Sequence, residues 1–152
     1  MIPTVALLTT LVCAPTSTPP DLAVGLLVGE PNGLTLAAPV LETFRVHAAA
    51  GLSADPDRDA LATFDFTYDM SEIIGRVFGT GWMSVWFGLG VRYAASDVDA
   101  SEDAFGMRVP FGVSYFDDAT GVEVFGSVAY GVVFIPERDA SGEVAFGLRF
   151  GL

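Results

Sequence analysis

The sequence predicts an all-β fold, a closed eight-stranded antiparallel up-and-down transmembrane β-barrel. Three observations carry the prediction. Apolar residues are abundant: 51% of the 152 residues are hydrophobic, and mean hydropathy is +0.51. Yet no run of about 18 apolar residues exists for a spanning helix. The apolar residues are instead dispersed with a period of two, as in "WMSVWFGLGVRY" (82–93). There Met83, Val85, Phe87, Leu89, Val91 and Tyr93 share one face, and Trp82, Ser84, Trp86, Gly88, Gly90 and Arg92 share the other. Finally, turn signals divide residues 21–152 into eight such segments.

Residues 1–20 read as a secretory signal peptide and short linker. An apolar stretch of about ten residues is followed by small residues and then Pro, Ser and Thr, with cleavage expected between Cys13 and Thr18. The single cysteine, Cys13, falls in this stretch, so a cleaved chain has no thiol for a disulfide, a metal or a nucleophile. The barrel occupies 21–152. Its first strand runs from about Leu22 to Val28 and stops at Gly29-Glu30-Pro31-Asn32-Gly33. The second covers Leu34 to Val40, and the third covers Phe44 to Leu52, ended by "SADPDRD". The fourth covers Ala60 to Tyr68. "DMSEIIGRVFGTG" (69–81) fits no strand pattern. The fifth strand is 82–93, and "AASDVDASED" leads to the sixth, Phe105 to Tyr115. The seventh is Val122 to Phe134, and "IPERDASG" precedes the eighth, Glu143 to Leu152.

Across all eight segments one face carries no charge. Every strand charge falls on the other: Arg45, Asp65, Arg92, Arg108, Glu123, Glu143 and Arg149, with the lone His47 and most strand glycines. Volume decides which face is outside. The interior of an eight-stranded barrel holds its own side chains or one small ligand, and roughly forty large apolar side chains would overfill it. The apolar face therefore points outward to lipid. Glycine, alanine and serine fill the interior around the seven charges. Unpaired, each buried charge costs several kcal/mol, and a guanidinium pairs bidentately with a carboxylate. The four arginines are thus expected to interleave with the three acids as a structural polar plug, the sharper alternative being a gated proton or ion path. Twelve residues at about 3.3 Å, tilted by about 40°, span roughly 30 Å, enough for an apolar band of about 25 Å. Tyr68, Tyr93 and Tyr115 stand at strand ends, where an aromatic girdle belongs, and an even strand number puts both termini on the periplasmic side.

Net charge is −12, and all seven cations are arginine, which argues against a nucleic-acid partner. "SDVDASED" (96–103) gathers Asp97, Asp99, Glu102 and Asp103 without an EF-hand pattern. It reads as a solvated loop, or one sharing divalent cations with lipopolysaccharide phosphates. Gly29–Gly33 lacks the spacing of a phosphate loop. Catalysis would need a nucleophile, base and acid set, and only His47 is available, mid-strand and inward. No catalytic, cofactor-binding or metal-ligating residue is assigned, and no cofactor is expected. The expectation is a monomeric barrel of structural or interaction type. The alternatives are an outer-membrane lipid-modifying enzyme and a periplasmic lipocalin-like carrier of an apolar ligand.

"GLLVGEPNGLTLAA" (25–38), "VWFGLGVRY" (85–93), "FGMRVPFGVSYF" (105–116) and "VEVFGSVAYGVVFIPERDASGEVAFGLRF" (122–150) stand in an order that resembles a family of small bacterial outer-membrane β-barrel proteins, most of unknown role. In architecture these are similar to the eight-stranded OmpA-like transmembrane domain. The resemblance implies an outer-membrane location in a Gram-negative type envelope, outer-membrane lipid as partner, and insertion by the barrel-assembly machinery. It brings no catalytic residues. Such chains commonly end on an aromatic residue, whereas this one ends Phe150-Gly151-Leu152.

Overall fold

Segments that bury one face and expose the other pair edge to edge until the last strand meets the first. A computed structural model of the chain, which describes residues 20–53, 59–78, 83–96, 103–135 and 139–152, has this architecture. The elements are β1 (Ala23–Gly29), β2 (Asn32–Leu41), β3 (Phe44–Leu52), β4 (Ala60–Asp69), α1 (Ser71–Phe78), β5 (Ser84–Ala95), β6 (Ala104–Asp117), β7 (Val122–Ile135) and β8 (Asp139–Gly151). Each strand pairs antiparallel with its chain neighbours, and β1 also pairs with β8, which closes the barrel. The expected signal segment and most of the acidic 96–103 loop lie outside the described residues. Among the described residues no helix is long and apolar enough to cross a membrane, which says nothing of strands.

Turn chemistry sets the ends. Gly29 has φ +129° and donates its amide to Asn32 Oδ1 at 2.9 Å, closing the β1–β2 hairpin around Glu30 and Pro31. Gly121, at φ +70°, donates to Asp117 O at 2.8 Å and ends the β6–β7 turn. Both backbone conformations disfavour any residue with a Cβ.

The register fixes the barrel's shape. Followed from Gly25, the ladder passes through Thr35, Ala49, Thr63, Arg92, Gly106 and Val133 to Asp139, although Gly25 itself pairs on β8 with Arg149. The strands are thus staggered by ten residues, Arg149 to Asp139, over one circuit. In an eight-stranded barrel such a stagger corresponds to a tilt of about 40° and an interior filled by side chains.

Along β6 the alternation has no break from Ala104 to Tyr115: Arg108 is 6% exposed between Met107 at 48% and Val109 at 50%. The outward set is apolar on every strand. The inward set departs from a small-residue filling, because Leu27, Leu61, Trp86 and Phe125 are also buried there. Inward glycines make the room. A Cβ on Gly112 would stand 2.1 Å from the Trp86 ring, and one on Gly147 would stand 2.5 Å from the Phe125 ring.

Two further expectations need correction, and a stretch left open is filled. β8 begins at Asp139, four residues before Glu143, because its upper part pairs with β7 from Val133↔Asp139 to Ala129↔Glu143; the ladder overrides the turn preference of Asp, Ser and Gly. The unassigned 69–81 stretch contains α1, started by Asp69, whose Oδ1 accepts the Ser71 amide at 2.7 Å, and by Met70 O, which accepts the Ile74 amide at 2.9 Å. Val85, in the outward register, is only 6% exposed.

Candidate functional site

Antiparallel pairing with period-two alternation carries all seven inward charges into one lumen: Arg45, Asp65, Arg92, Arg108, Glu123, Glu143 and Arg149 are each at most 7% exposed. They form two groups. Near the end where β1 starts and β8 finishes, β7 brings Glu123 between Arg45 of β3 and Arg149 of β8. Glu123 Oε1 accepts from Arg45 Nη1 at 3.1 Å, and Oε2 faces Arg149 Nη1 at 3.5 Å. Arg149 also donates from Nε and Nη2 to Thr35 Oγ1 at 3.2 and 3.0 Å, and its guanidinium lies 3.8 Å from the Phe125 ring centroid. Thr67 donates its hydroxyl to the Arg45 carbonyl at 3.1 Å.

Toward the opposite end, Glu143 of β8 is shared in the same manner. Its Oε1 is 2.8 Å from Arg92 Nη1, and its Oε2 accepts from Arg108 Nη1. Arg108 Nε stands 3.1 Å from Asp65 Oδ1, and Arg92 donates to Ser141 Oγ at 2.6 Å. Each glutamate therefore pairs with two guanidiniums, and each guanidinium of this set touches a carboxylate. In a lumen this closely packed the Coulomb attraction is strong, and it offsets the desolvation of the ions only while every partner is present.

Sequence reasoning missed a fourth carboxylate. Glu30 sits in the β1–β2 turn, accepts the Ser53 hydroxyl at 2.7 Å, and lines an interior cavity of about 30 Å³ together with buried Pro31. The turn reading of Gly29–Gly33 was correct for the backbone, but a turn has no face periodicity to say that its side chains fold over the lumen. The same cavity is lined by Thr35, His47, Thr63, Asp65 and Trp86. His47 stacks on Trp86 with ring centroids 4.5 Å apart and is 4% exposed. Neither ring nitrogen of His47 nor Trp86 Nε1 has a protein partner, and a polar cavity of this size accommodates ordered water.

This arrangement can hold the strands together by cross-lumen ion pairs and can exclude bulk solvent. Among the described residues no hydroxyl bonds either ring nitrogen of His47, which faces an indole and a small cavity. Among the described residues no cluster of three or more His, Cys, Asp or Glu could hold a metal. Asp103 at the edge of the acidic loop accepts from the Tyr93 hydroxyl at 2.5 Å. No protein family, curated protein or solved structure matches the chain.

Proposed function

We propose that this chain is a bacterial outer-membrane β-barrel protein of structural or interaction type, a monomer with a filled, non-conducting lumen. One observation carries the reading: the barrel is inverted with respect to water. Thirty-three large apolar side chains are exposed among the described residues, Leu26, Phe64, Phe111 and Phe146 among them, while four arginines and three acids are buried. A water-soluble monomer rarely exposes an apolar patch beyond a few hundred Å². Hydrocarbon as the outer solvent removes that cost, and it demands that every backbone donor and acceptor be paired, which closure achieves.

On this reading the termini, α1 and the 42–43 and 118–121 turns face the periplasm, and the acidic loops face outward, where divalent cations could join them to lipopolysaccharide phosphates. Insertion falls to the barrel-assembly machinery. The alternatives fare less well against the same geometry. A carrier of an apolar ligand needs an apolar cavity of several hundred Å³, whereas this interior cavity is about 30 Å³ and ionic. A lipid-modifying enzyme needs its base at the membrane rim, and His47 is buried mid-strand against Trp86.

Fractionation of a Gram-negative host expressing the full chain tests the reading. The expected result is recovery in the outer membrane, extraction only by detergent, and faster gel migration before boiling than after. Recovery as a monomer soluble in detergent-free buffer would overturn it.

A further inference from the structure

We propose that α1 is an in-plane lipid-binding helix that fastens the end of the barrel where β1 starts and β8 finishes to one leaflet, with the acyl-chain surface as its occupant. The proposal rests on the membrane reading and extends it to a segment outside the strands.

The helix sits between β4 and β5 at the end of the barrel where β1 starts and β8 finishes. It lies against the outer wall. Val85 belongs to the outward register with Phe87 and Leu89, yet it is 6% exposed where Leu89 is 60%. The chain entering α1 bonds to that residue's backbone, Met70 N–H donating to Val85 O at 2.7 Å and Val85 N–H to Ser71 Oγ at 3.3 Å. α1 contacts β5 and no other strand to a comparable degree.

Three ridges run along α1, separated by its turn of 100° per residue. Ser71, Ile74 and Gly75 are half-buried. Glu72 and Arg76, one turn apart, form an exposed ion pair. Ile73 and Val77, also one turn apart, are 53% and 68% exposed. The apolar ridge adjoins Ile74, and the charged ridge lies on the other flank. Eight residues make a marginal helix in isolation, so contacts around it set its stability. A helix lying at an interface seats its apolar ridge about 5–10 Å into the headgroup–acyl boundary and keeps its charges in the headgroups.

The neighbouring wall matches that level. Phe44 stacks on Phe66 at 5.1 Å and meets Tyr68 at 5.3 Å, and Tyr68 meets Phe87 at 6.0 Å. These aromatic rings, toward the foot of β3, β4 and β5, form a belt on the outward face, and Phe87 shares that face with Val85 two residues before it. The ion pair makes the helix neutral at its exposed charges within a chain of net charge −12, so it approaches a lipid surface without the repulsion that the rest of the chain brings.

Single-cysteine variants in a Cys13→Ser background test this: Ile73→Cys, Val77→Cys, Glu72→Cys, Arg76→Cys and, on the barrel wall, Phe111→Cys. Each is labelled with a fluorophore, folded into phosphatidylcholine vesicles and exposed to acyl-chain-brominated lipid or to aqueous iodide. Labelling both ridge positions keeps the test open if one variant misfolds. The expected result is severalfold stronger lipid quenching at 73 and 77 than at 72 and 76, alongside strong lipid quenching at 111. Lipid quenching at 111 with iodide quenching at 73 and 77 overturns the helix proposal and leaves the barrel reading intact. Shielding of 73 and 77 from both quenchers also overturns it, in favour of a protein contact. Absence of lipid quenching at 111 removes the barrel reading and this proposal together.

Discussion

Glu123 holds two guanidiniums, Arg45 and Arg149, in a lumen where its own exposure is 1%. Glu123→Gln keeps the shape and removes the charge that both arginines face. Breaking a buried pair from one side costs about 3–5 kcal/mol, because the charges left behind are neither solvated nor paired. The exposed pair at α1 gives the control, since Glu72→Gln shifts stability by no more than about 1 kcal/mol. Denaturant unfolding of lipid-reconstituted protein separates the two, and equal midpoints would show that the lumen is wet enough to screen its charges. Gly112 offers a purely steric counterpart: a Cβ there meets the Trp86 ring at 2.1 Å, so Gly112→Val is expected to cost about 1–3 kcal/mol by overpacking and to shift tryptophan emission as the His47–Trp86 stack is displaced. An unshifted midpoint and spectrum would place Trp86 elsewhere. The identity of the inward charges was legible in the sequence because a period of two assigns each strand residue to a face without knowledge of its neighbours. Which acid meets which arginine was not, because partners such as Arg45 and Glu123 are 78 positions apart and meet across the lumen only at the stagger the closed barrel adopts. Glu30 was missed because it belongs to a turn and has no face to be assigned to.

β6 runs for fourteen residues from Ala104 to Asp117, and its outward residues sample the full depth of the wall. Phe111 lies mid-strand between Phe87 and Val128, and Tyr115 lies near the end where β1 starts and β8 finishes, opposite Val124. If hydrocarbon surrounds the wall, Phe111→Arg costs about 2–4 kcal/mol and Tyr115→Arg about 0–1 kcal/mol. If water surrounds it, neither position pays a depth-dependent penalty, so equal effects at the two positions would count against lipid. Unfolding midpoints in vesicles measure this directly. Seven of the eight strands kept their sequence-derived limits to within about two residues at each end, which is the usual latitude of element boundaries. The fifth is among them but shifted as a whole: it starts at Ser84 and ends at Ala95, where Trp82 and Tyr93 were expected. β8 departed most, because Asp139, Ser141 and Gly142 carry turn preferences and yet pair with Val133, Gly131 and Tyr130. α1 was unreadable for the opposite reason. Its apolar residues divide between a packed ridge and an exposed one, so neither a strand period nor one buried helical face stands out.

The ten-residue stagger connects strand length to the thickness of the surroundings. The outward apolar run of β6 extends from Phe105 to Tyr115. At about 3.3 Å per residue and a tilt of about 40°, those ten steps rise roughly 25 Å. This equals the apolar band of outer-membrane barrels and falls short of the roughly 30 Å hydrocarbon core of a typical bilayer. Eight strands at this stagger leave no space for a bore once Trp86, Phe125 and the ion pairs are in place, so planar-bilayer recordings are expected to show no stable conductance. The match in height yields a sharper test, because mismatch costs a fraction of a kcal/mol per Å. Folding yield and denaturant midpoint are expected to be greatest in vesicles of short-chain phosphatidylcholine near that thickness. They should fall progressively as acyl chains lengthen, with a bilayer roughly 10 Å too thick costing on the order of a few kcal/mol. The ion pairs of the lumen cannot produce such a trend, since they do not sense chain length; only the outward wall does. A midpoint that stays constant from thin to thick bilayers would mean that hydrocarbon does not solvate Phe105, Phe111 and Tyr115, and the barrel would then have to hide its apolar wall in some other way.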